Sequence, residues 1–285
     1  YACRAGKSVI VIEKAAFGGQ ITWSPKVENF PSVVSISGAE LGDRLMEQAM
    51  EQGAEVELDE VVSVEDMGDK KRVVCLSEAE FFCRALIVAA GAKPRMLGLD
   101  REAELVGSGV CFCAVCDGAF YKDREVIVVG GGNSAMQEAI LLSEQAKKVY
   151  VIQNLDFLTG EAKLQEQLRA KDNVEIILGT VLDAYKGESE LEGVVIKNVA
   201  SGNTAEIALD GLFLAVGLVP QNEAFADVIA LNERGYASAD ESCTTETKGI
   251  FVAGDCRTKR IRQVTTAAAD GAVAALAACD YIDTL

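Results

Sequence analysis

The feature that most constrains the fold is a glycine turn at residues 130–135, Gly-Gly-Gly-Asn-Ser-Ala. It follows an apolar run at 126–129, which predicts a buried strand, and it precedes a helix predicted over 134–145. The turn matches the pattern G-x-G-x-x-A, in which glycines permit a tight turn and close approach of a pyrophosphate. We therefore expect a Rossmann-type unit whose nucleotide-binding residues are Gly130, Gly132, Asn133, Ser134 and Ala135.

A Cys-x-x-Cys motif, Cys113 and Cys116, lies shortly before this turn. Such a pair serves redox chemistry, zinc binding or simple burial. A zinc site would need two further ligands; the chain has no histidine, and Cys111 is too close to Cys113 to complete a second pair. The motif therefore favours a redox pair over a metal site or inert buried thiols.

Composition narrows the class of protein. A chain of 285 residues with 49% hydrophobic and 25% charged residues suits a globular protein of two domains. A net charge of −17 argues against nucleic acid as a partner, and we expect neither a membrane span nor a signal peptide. Nine cysteines indicate a cytoplasmic protein with mostly reduced thiols. Six are expected to be packing residues: Cys3, Cys75, Cys83, Cys243, Cys256 and Cys279.

The amino-terminal segment resembles the later part of a second Rossmann unit. Residues 9–12 predict a buried parallel strand that ends at Glu13, where such a unit binds a ribose hydroxyl. The glycine turn that should precede it is not in this sequence, and we interpret this as truncation rather than a fold without a phosphate cradle. Gly18, Gly19 and Gln20 then form a loop that suits either a flat ligand or a plain turn.

Further along, local signals predict ordinary elements. Ser37 to Glu40 is a capping box for a helix that ends near Gly53. A buried strand at 85–90 ends at Gly91, and a strand near 247–253 ends in Gly-Asp. An alanine-rich helix at 267–278 is apolar on most sides, so we expect it to be packed inside a domain.

Together these motifs resemble the low-molecular-weight thioredoxin reductases, which are two-dinucleotide-binding flavoproteins. The resemblance runs over nearly the whole chain and includes the Cys-x-x-Cys-Asp-Gly segment inside the second nucleotide module. It implies an α/β protein with two Rossmann-like domains, the second inserted into the first. An FAD-binding domain would comprise 1–94 and 219–285, and a pyridine-nucleotide-type domain 95–218. The FAD contacts it implies are Glu13, Gly18, Gly19, Gln20, Asn29, Gly91, Asp255, Arg262, Gln263 and Val264.

The resemblance also implies a mechanism. Reduced flavin would pass electrons to the Cys113–Cys116 disulfide, with Cys116 nearer the flavin. Cys113 would attack a thioredoxin-like protein while Asp117 donates and accepts protons, and linkers near Pro94 and Pro220 would act as hinges. A homodimer is expected on the same ground. Two alternatives stay open: a reductase of a peroxidase or other thioredoxin-like protein, and a catalytically silent scaffold.

The electron donor is the least constrained feature. NADPH-using relatives carry His-Arg-Arg after the second strand of the inserted module, but here the segment from Gln153 to Thr159 has no arginine. Each missing guanidinium contact to a phosphate would remove roughly 1.5–3 kcal/mol. NADPH preference should therefore be weak, and the sequence leaves both reduced ferredoxin and a nicotinamide nucleotide, NAD(P)H, as candidates.

Overall fold

A computed structural model describes residues 1–24 and 27–285, and its chain divides into two compact units. The first unit comprises Tyr1–Thr22, Glu28–Lys93 and Val219–Leu285. The second comprises Pro94–Leu218 and the short segment Trp23–Val27, which the sequence had placed with the first. Parallel sheets accompanied by helices confirm the predicted α/β class.

Strands and helices alternate over residues 110–177, whereas residues 55–94 and 174–220 carry successive strands. The helices are α1 Gly38–Glu51, α2 Glu102–Leu105, α3 Ala114–Asp117, α4 Asn133–Ser143, α5 Ala162–Arg169 and α6 Val264–Asp283. The strands are β1 Ile10–Glu13, β2 Glu55–Leu58, β3 Val61–Asp66, β4 Lys71–Cys75, β5 Glu80–Cys83, β6 Leu86–Val88, β7 Ala92–Pro94, β8 Val110–Cys111, β9 Glu125–Val129, β10 Lys148–Ile152, β11 Val174–Ile177, β12 Thr180–Lys186, β13 Gly193–Asn198, β14 Thr204–Ala208, β15 Gly211–Leu214, β16 Leu218–Pro220 and β17 Ile250–Val252.

The second unit is built on a parallel sheet of order β11-β10-β9-β15-β8. Its central strand β9 is apolar along nearly its whole length because both faces of the sheet are covered. On one face Val126 and Val128 pack with Ala135, Met136 and other residues of α4. On the other, Ile127 packs with residues of the antiparallel sheet β12-β13-β14. The strand β9, the helix α4 and the strand β10 form the predicted nucleotide-type βαβ unit.

The first unit contains the parallel pairs β1-β2 and β17-β6 and the antiparallel sheet β3-β4-β5. The capping-box prediction for α1 is confirmed, because the Ser37 side chain accepts a hydrogen bond from the Glu40 amide at 3.1 Å. The prediction of a buried β1 was wrong: Ile10 and Val11 are 38% and 41% exposed. These neighbouring side chains point to opposite faces of the strand, so within the described chain neither face of the β1-β2 pair is fully covered.

The carboxyl-terminal helix α6 is longer and less enclosed than the sequence indicated. It begins at Val264 and ends at Asp283, and its inner face packs Ala274 and Ala278 against Phe251 of β17. Its outer face leaves Leu276 49% exposed. The expectation of burial on most sides was therefore wrong, because only one side of the helix meets the sheet. No helix among the described residues has both the length and the apolar character needed to cross a bilayer.

Candidate active site

The two cysteines of the motif form a disulfide at the beginning of the short helix α3. Cys113 is the N-cap residue, and its Sγ accepts a hydrogen bond from the Cys116 amide at 3.2 Å. A donor at this position would favour a thiolate on Cys113 once the bond is reduced, since thiolates are stabilised by hydrogen bonds and positive potential. Val115, between the two cysteines, is exposed, so the motif lies at the surface of its own unit.

Asp117 ends the same helix and is half-buried. Burial raises the pKa of its carboxyl group to about 6. Its Oδ1 is shielded from solvent and has no hydrogen-bond partner within the described chain. A carboxyl with a pKa near neutrality beside a disulfide can both donate and accept a proton at physiological pH.

Glu138 of α4 also belongs to this site, although the sequence analysis missed it. Burial raises its pKa to about 8; a hydrogen bond with the Ala114 backbone lowers it, and the Asp117 charge raises it further. A signal was available, because Glu138 is three residues after Ala135 and four before Leu142, both buried. At helical spacing this places a charged residue on the inward face of the helix.

Two further groups line the same cluster. The Cys111 thiol and the Tyr121 hydroxyl lie 3.3 Å apart. Burial, with smaller contributions from Asp117 and Glu138, raises the pKa of Cys111 to about 12 despite the hydrogen bond with Tyr121. Burial also raises the pKa of Tyr121. Both groups are therefore neutral at physiological pH, so Cys111 is no competing nucleophile.

The glycine turn has the geometry that its pattern predicts. Gly130 has a φ of 136°, and a Cβ there would lie 2.6 Å from the carbonyl oxygen of Ala215. Gly132 is the N-cap of α4, and the other predicted nucleotide residues fall in its first turn: Asn133, Ser134 and Ala135.

The chain itself occupies the space around this turn. Asn133 donates to the Glu161 carboxylate at 3.0 Å, and its own side-chain oxygen accepts from the Glu161 amide at 2.7 Å. A Cβ added to Gly131 would lie 2.5 Å from the side chain of Gln153, which is buried. We call these two hydrogen bonds between Asn133 and Glu161 the clasp. They hold the Glu161 carboxylate at the start of α4, where its negative charge would repel a phosphate, and the sequence alone did not indicate this.

The predicted FAD residues all belong to the first unit. Gly91 and Gly19 have φ of 71° and 60°, and a Cβ at either would meet nothing within 4 Å, so each borders open space. Gly18 is tightly packed, because its Cβ would lie 2.9 Å from the Thr22 side chain. The Gln20 amide donates to the carbonyl of Ala92, beside Gly91. The half-buried Glu13 accepts from the Ala15 amide at 3.0 Å.

The remaining predicted FAD residues lie near the start of α6. Asn29 donates to the Gln263 side chain at 3.3 Å, and Val264 is the first residue of the helix. The Arg262 Nε donates to the carbonyl oxygen of Asp255 at 3.2 Å. Burial raises the pKa of Asp255, and its Oδ1 is buried with no partner among the described residues. An unpaired acceptor in the same unit as open glycine positions fits a ligand rich in hydroxyl groups, such as the flavin dinucleotide.

The chain is similar to known proteins over its full length. Residues 1–271 match the family model described as pyridine nucleotide-disulphide oxidoreductase. A Clostridium pasteurianum protein described as "34.2 kDa protein in rubredoxin operon" is 39% identical over 99% of this chain and 92% of its own length. The Bacillus subtilis thioredoxin reductase is 36% identical over 100% and 90%. The Streptococcus pyogenes thioredoxin reductase structure has a TM-score of 0.93 at 37% identity, covering 100% of this chain and 93% of that one.

Proposed function

The chain belongs to the pyridine nucleotide-disulphide oxidoreductase family, in its low-molecular-weight thioredoxin reductase group, and we propose that its Cys113–Cys116 pair reduces the disulfide of thioredoxin or a thioredoxin-like protein. The observation that carries this proposal is the disulfide at the N-cap of α3, with Asp117 at the end of the same helix. FAD is the cofactor of the family. When bound, it supplies the electron pair that reduces this disulfide.

The two cysteines have different chemical roles in this proposal. Cys113 attacks the partner disulfide as a thiolate, because the Cys116 amide donates to its sulfur. A mixed disulfide forms between Cys113 and the partner, and the released partner thiolate takes a proton from Asp117. Cys116 then attacks the Cys113 sulfur, which restores the internal disulfide and frees the partner as a dithiol. We assign Cys116 as the residue nearer the flavin.

FAD binding is assigned to the first unit, Tyr1–Thr22, Glu28–Lys93 and Val219–Leu285. Asp255 would accept a hydrogen bond from a hydroxyl of the cofactor, because its Oδ1 is buried and unpaired within the described chain. Gly19 and Gly91, which border open space, would let the backbone approach the cofactor closely, and Gly18 would contribute from the same turn as Gly19. The other contacts would come from Glu13, Gln20, Asn29, Arg262, Gln263 and Val264.

We assign a pyridine nucleotide as the electron donor, because the family uses these nucleotides. We expect no preference for NADPH over NADH. The intact turn at Gly130 and the absence of arginine from Gln153 to Thr159 support this assignment. Reduced ferredoxin is the second candidate. The clasp between Asn133 and Glu161 favours it, because this clasp places a carboxylate where a pyrophosphate would bind.

We further propose a homodimer in the cytoplasm. The cytoplasmic assignment rests on cysteine usage, because seven cysteines are free and Cys113–Cys116 is the disulfide formed.

The test of the proposed function is a mixed-disulfide trap. Reduced Cys116→Ser protein, mixed with oxidised thioredoxin, should accumulate a covalent adduct through Cys113, because the resolving thiol is missing. Cys113→Ser should form little adduct. Cys3→Ser is the matched control, since it removes a free thiol in the first unit and should behave as the parent. Anaerobic titration should show two electrons beyond the flavin in the parent and none in Cys116→Ser. Equal trapping by Cys113→Ser would refute the division of roles.

A further inference from the structure

Two carboxyl groups with unpartnered oxygens lie beside the redox disulfide. Four side-chain oxygens or nitrogens of the described residues are buried without a hydrogen-bond partner, and Asp117 Oδ1 and Glu138 Oε2 are two of them. Such atoms are costly, and a structure that keeps two together calls for an explanation. Asp117 comes from α3 and Glu138 from the neighbouring helix α4, so their pairing depends on the packing of these helices.

The surroundings of Glu138 disfavour two negative charges. The groups that face it are Asp117 and the Ala114 backbone on α3, and its charge also reaches Cys111 on β8. Tyr121 completes the cluster and is neutral. Arg124, the cation that acts on Tyr121, is engaged with Asp210 at the surface at 3.3 Å. The two carboxyls thus share one environment, and the charge of one opposes the charge of the other.

We propose that Asp117 and Glu138 share one proton, and that Glu138 is the positioning residue from which Asp117 is reprotonated during disulfide exchange. This inference rests on the proposed function, because it concerns the proton that Asp117 delivers there. Glu138 acts through Asp117, the carboxyl whose charge raises its own pKa. At pH 7 the pair holds its proton mainly on Glu138, whose pKa is about 8, while Asp117, with a pKa of about 6, is mainly ionised.

The protons of the exchange then balance. The reduced site begins with Cys113 as a thiolate, one proton on Cys116 and one on the carboxyl pair. When Cys113 attacks the partner disulfide, the first partner thiolate takes the proton of the pair through Asp117. Asp117 next accepts the Cys116 proton, Cys116 attacks the Cys113 sulfur, and the second partner thiolate takes that proton. One electron pair and two protons leave with the partner, and solvent reprotonates Glu138.

The test is the pH dependence of single-turnover oxidation of the reduced holoenzyme by thioredoxin disulfide. In the parent protein, the rate should fall as pH rises through about 8, where the pair loses its proton. In Glu138→Gln, Asp117 is the member of the pair that still titrates, so the fall should move to about 6. Glu138→Asp should recover part of the difference. Gln137→Ala, an exposed change on the same helix, is the matched control and should leave the profile unchanged.

The outcomes separate this inference from the proposed function. An unchanged profile in Glu138→Gln, together with a normal Cys116→Ser trap, would overturn the proton pair and leave the reductase assignment intact. Failure of the trap would remove the reductase assignment itself. If Glu138→Gln does not fold, redox-difference infrared spectra of the parent protein test the proton pair instead. A protonated carboxyl band that changes on disulfide reduction at pH 7 supports the pair, and its absence refutes it.

Discussion

Arg257 and Asp270 form a two-point ion pair, with Nε to Oδ2 and Nη2 to Oδ1 both at 2.8 Å. Both side chains are buried. Lys259 adds a third contact to Oδ2 at 2.8 Å, and the Gly254 amide a fourth at 2.9 Å. The carboxylate of α6 therefore fixes the loop that carries Asp255. This pair connects a stability determinant to the proposed cofactor site.

Replacing Asp270 by Asn should destabilise the first unit by about 3–5 kcal/mol, because the buried Arg257 and Lys259 would both lose the charge of Asp270. Asp280→Asn, an exposed change on the same helix, should shift stability by less than about 0.5 kcal/mol. Chemical unfolding followed by circular dichroism measures both. Equal stability of the two variants would mean that the Arg257–Asp270 pair contributes nothing net.

The same pair predicts an acid-sensitive stability. Burial alone would raise the pKa of Asp270, but hydrogen bonds from Arg257, Lys259 and the Gly254 amide hold it at about 2. The folded pKa is thus below its ordinary value of 3.8, so the stabilisation is full above that value. It is lost as pH falls from about 4 towards 2. The unfolding free energies of the parent and Asp270→Asn should therefore differ at about pH 4 and converge as the pH approaches 2.

Asp117 should make the free energy of unfolding depend on pH in the opposite direction from Asp270. Its folded pKa of about 6 is above the ordinary 3.8, so the folded state binds more protons between these values and stability falls as pH rises through them. Asp117→Asn removes this loss and should be more stable than the parent at pH 7, by about 1–2 kcal/mol after allowance for solvent screening. The advantage should shrink at pH 4. The same variant should exchange disulfides more slowly, which stopped-flow mixing with thioredoxin disulfide would show.

Local chemistry made much of this chain predictable. The capping box at Ser37 and the turn at Gly130 depend on neighbours within a few residues, and both are present as predicted. Features that depend on distant packing were not predictable. The exposure of β1 depends on what packs against its faces. Helical spacing indicates that Glu138 faces inward, but its proximity to Asp117 depends on α4 packing beside α3. The clasp at Asn133 likewise joins residues 28 positions apart.

The glycine turn gives a steric prediction. Gly130→Ala should destabilise the second unit by roughly 1–3 kcal/mol or more, because φ is 136° and the new Cβ would meet the Ala215 oxygen at 2.6 Å. Gly132→Ala is the matched control. Its φ is −87°, and a Cβ there would lie 3.8 Å from the Thr159 hydroxyl oxygen, an ordinary contact. Thermal unfolding of the two variants tests this, and comparable losses would argue against a steric cause.

The choice of electron donor can be tested by introducing arginines into the segment after β10, which has none between Gln153 and Thr159. Asn154 and Leu155 follow β10 and are exposed, so arginines there would introduce guanidinium groups without disturbing the core. If a pyridine nucleotide binds at the Gly130 turn, the double Arg variant should lower KM for NADPH by roughly 10- to 100-fold, since each charge-assisted contact is worth about 1.5–3 kcal/mol and solvent weakens it. KM for NADH should change little, and a double Gln variant should resemble the parent. If NADPH does not reduce the flavin in either protein while reduced ferredoxin does, electrons enter by another route and the clasp of Asn133 with Glu161 marks a closed nucleotide site.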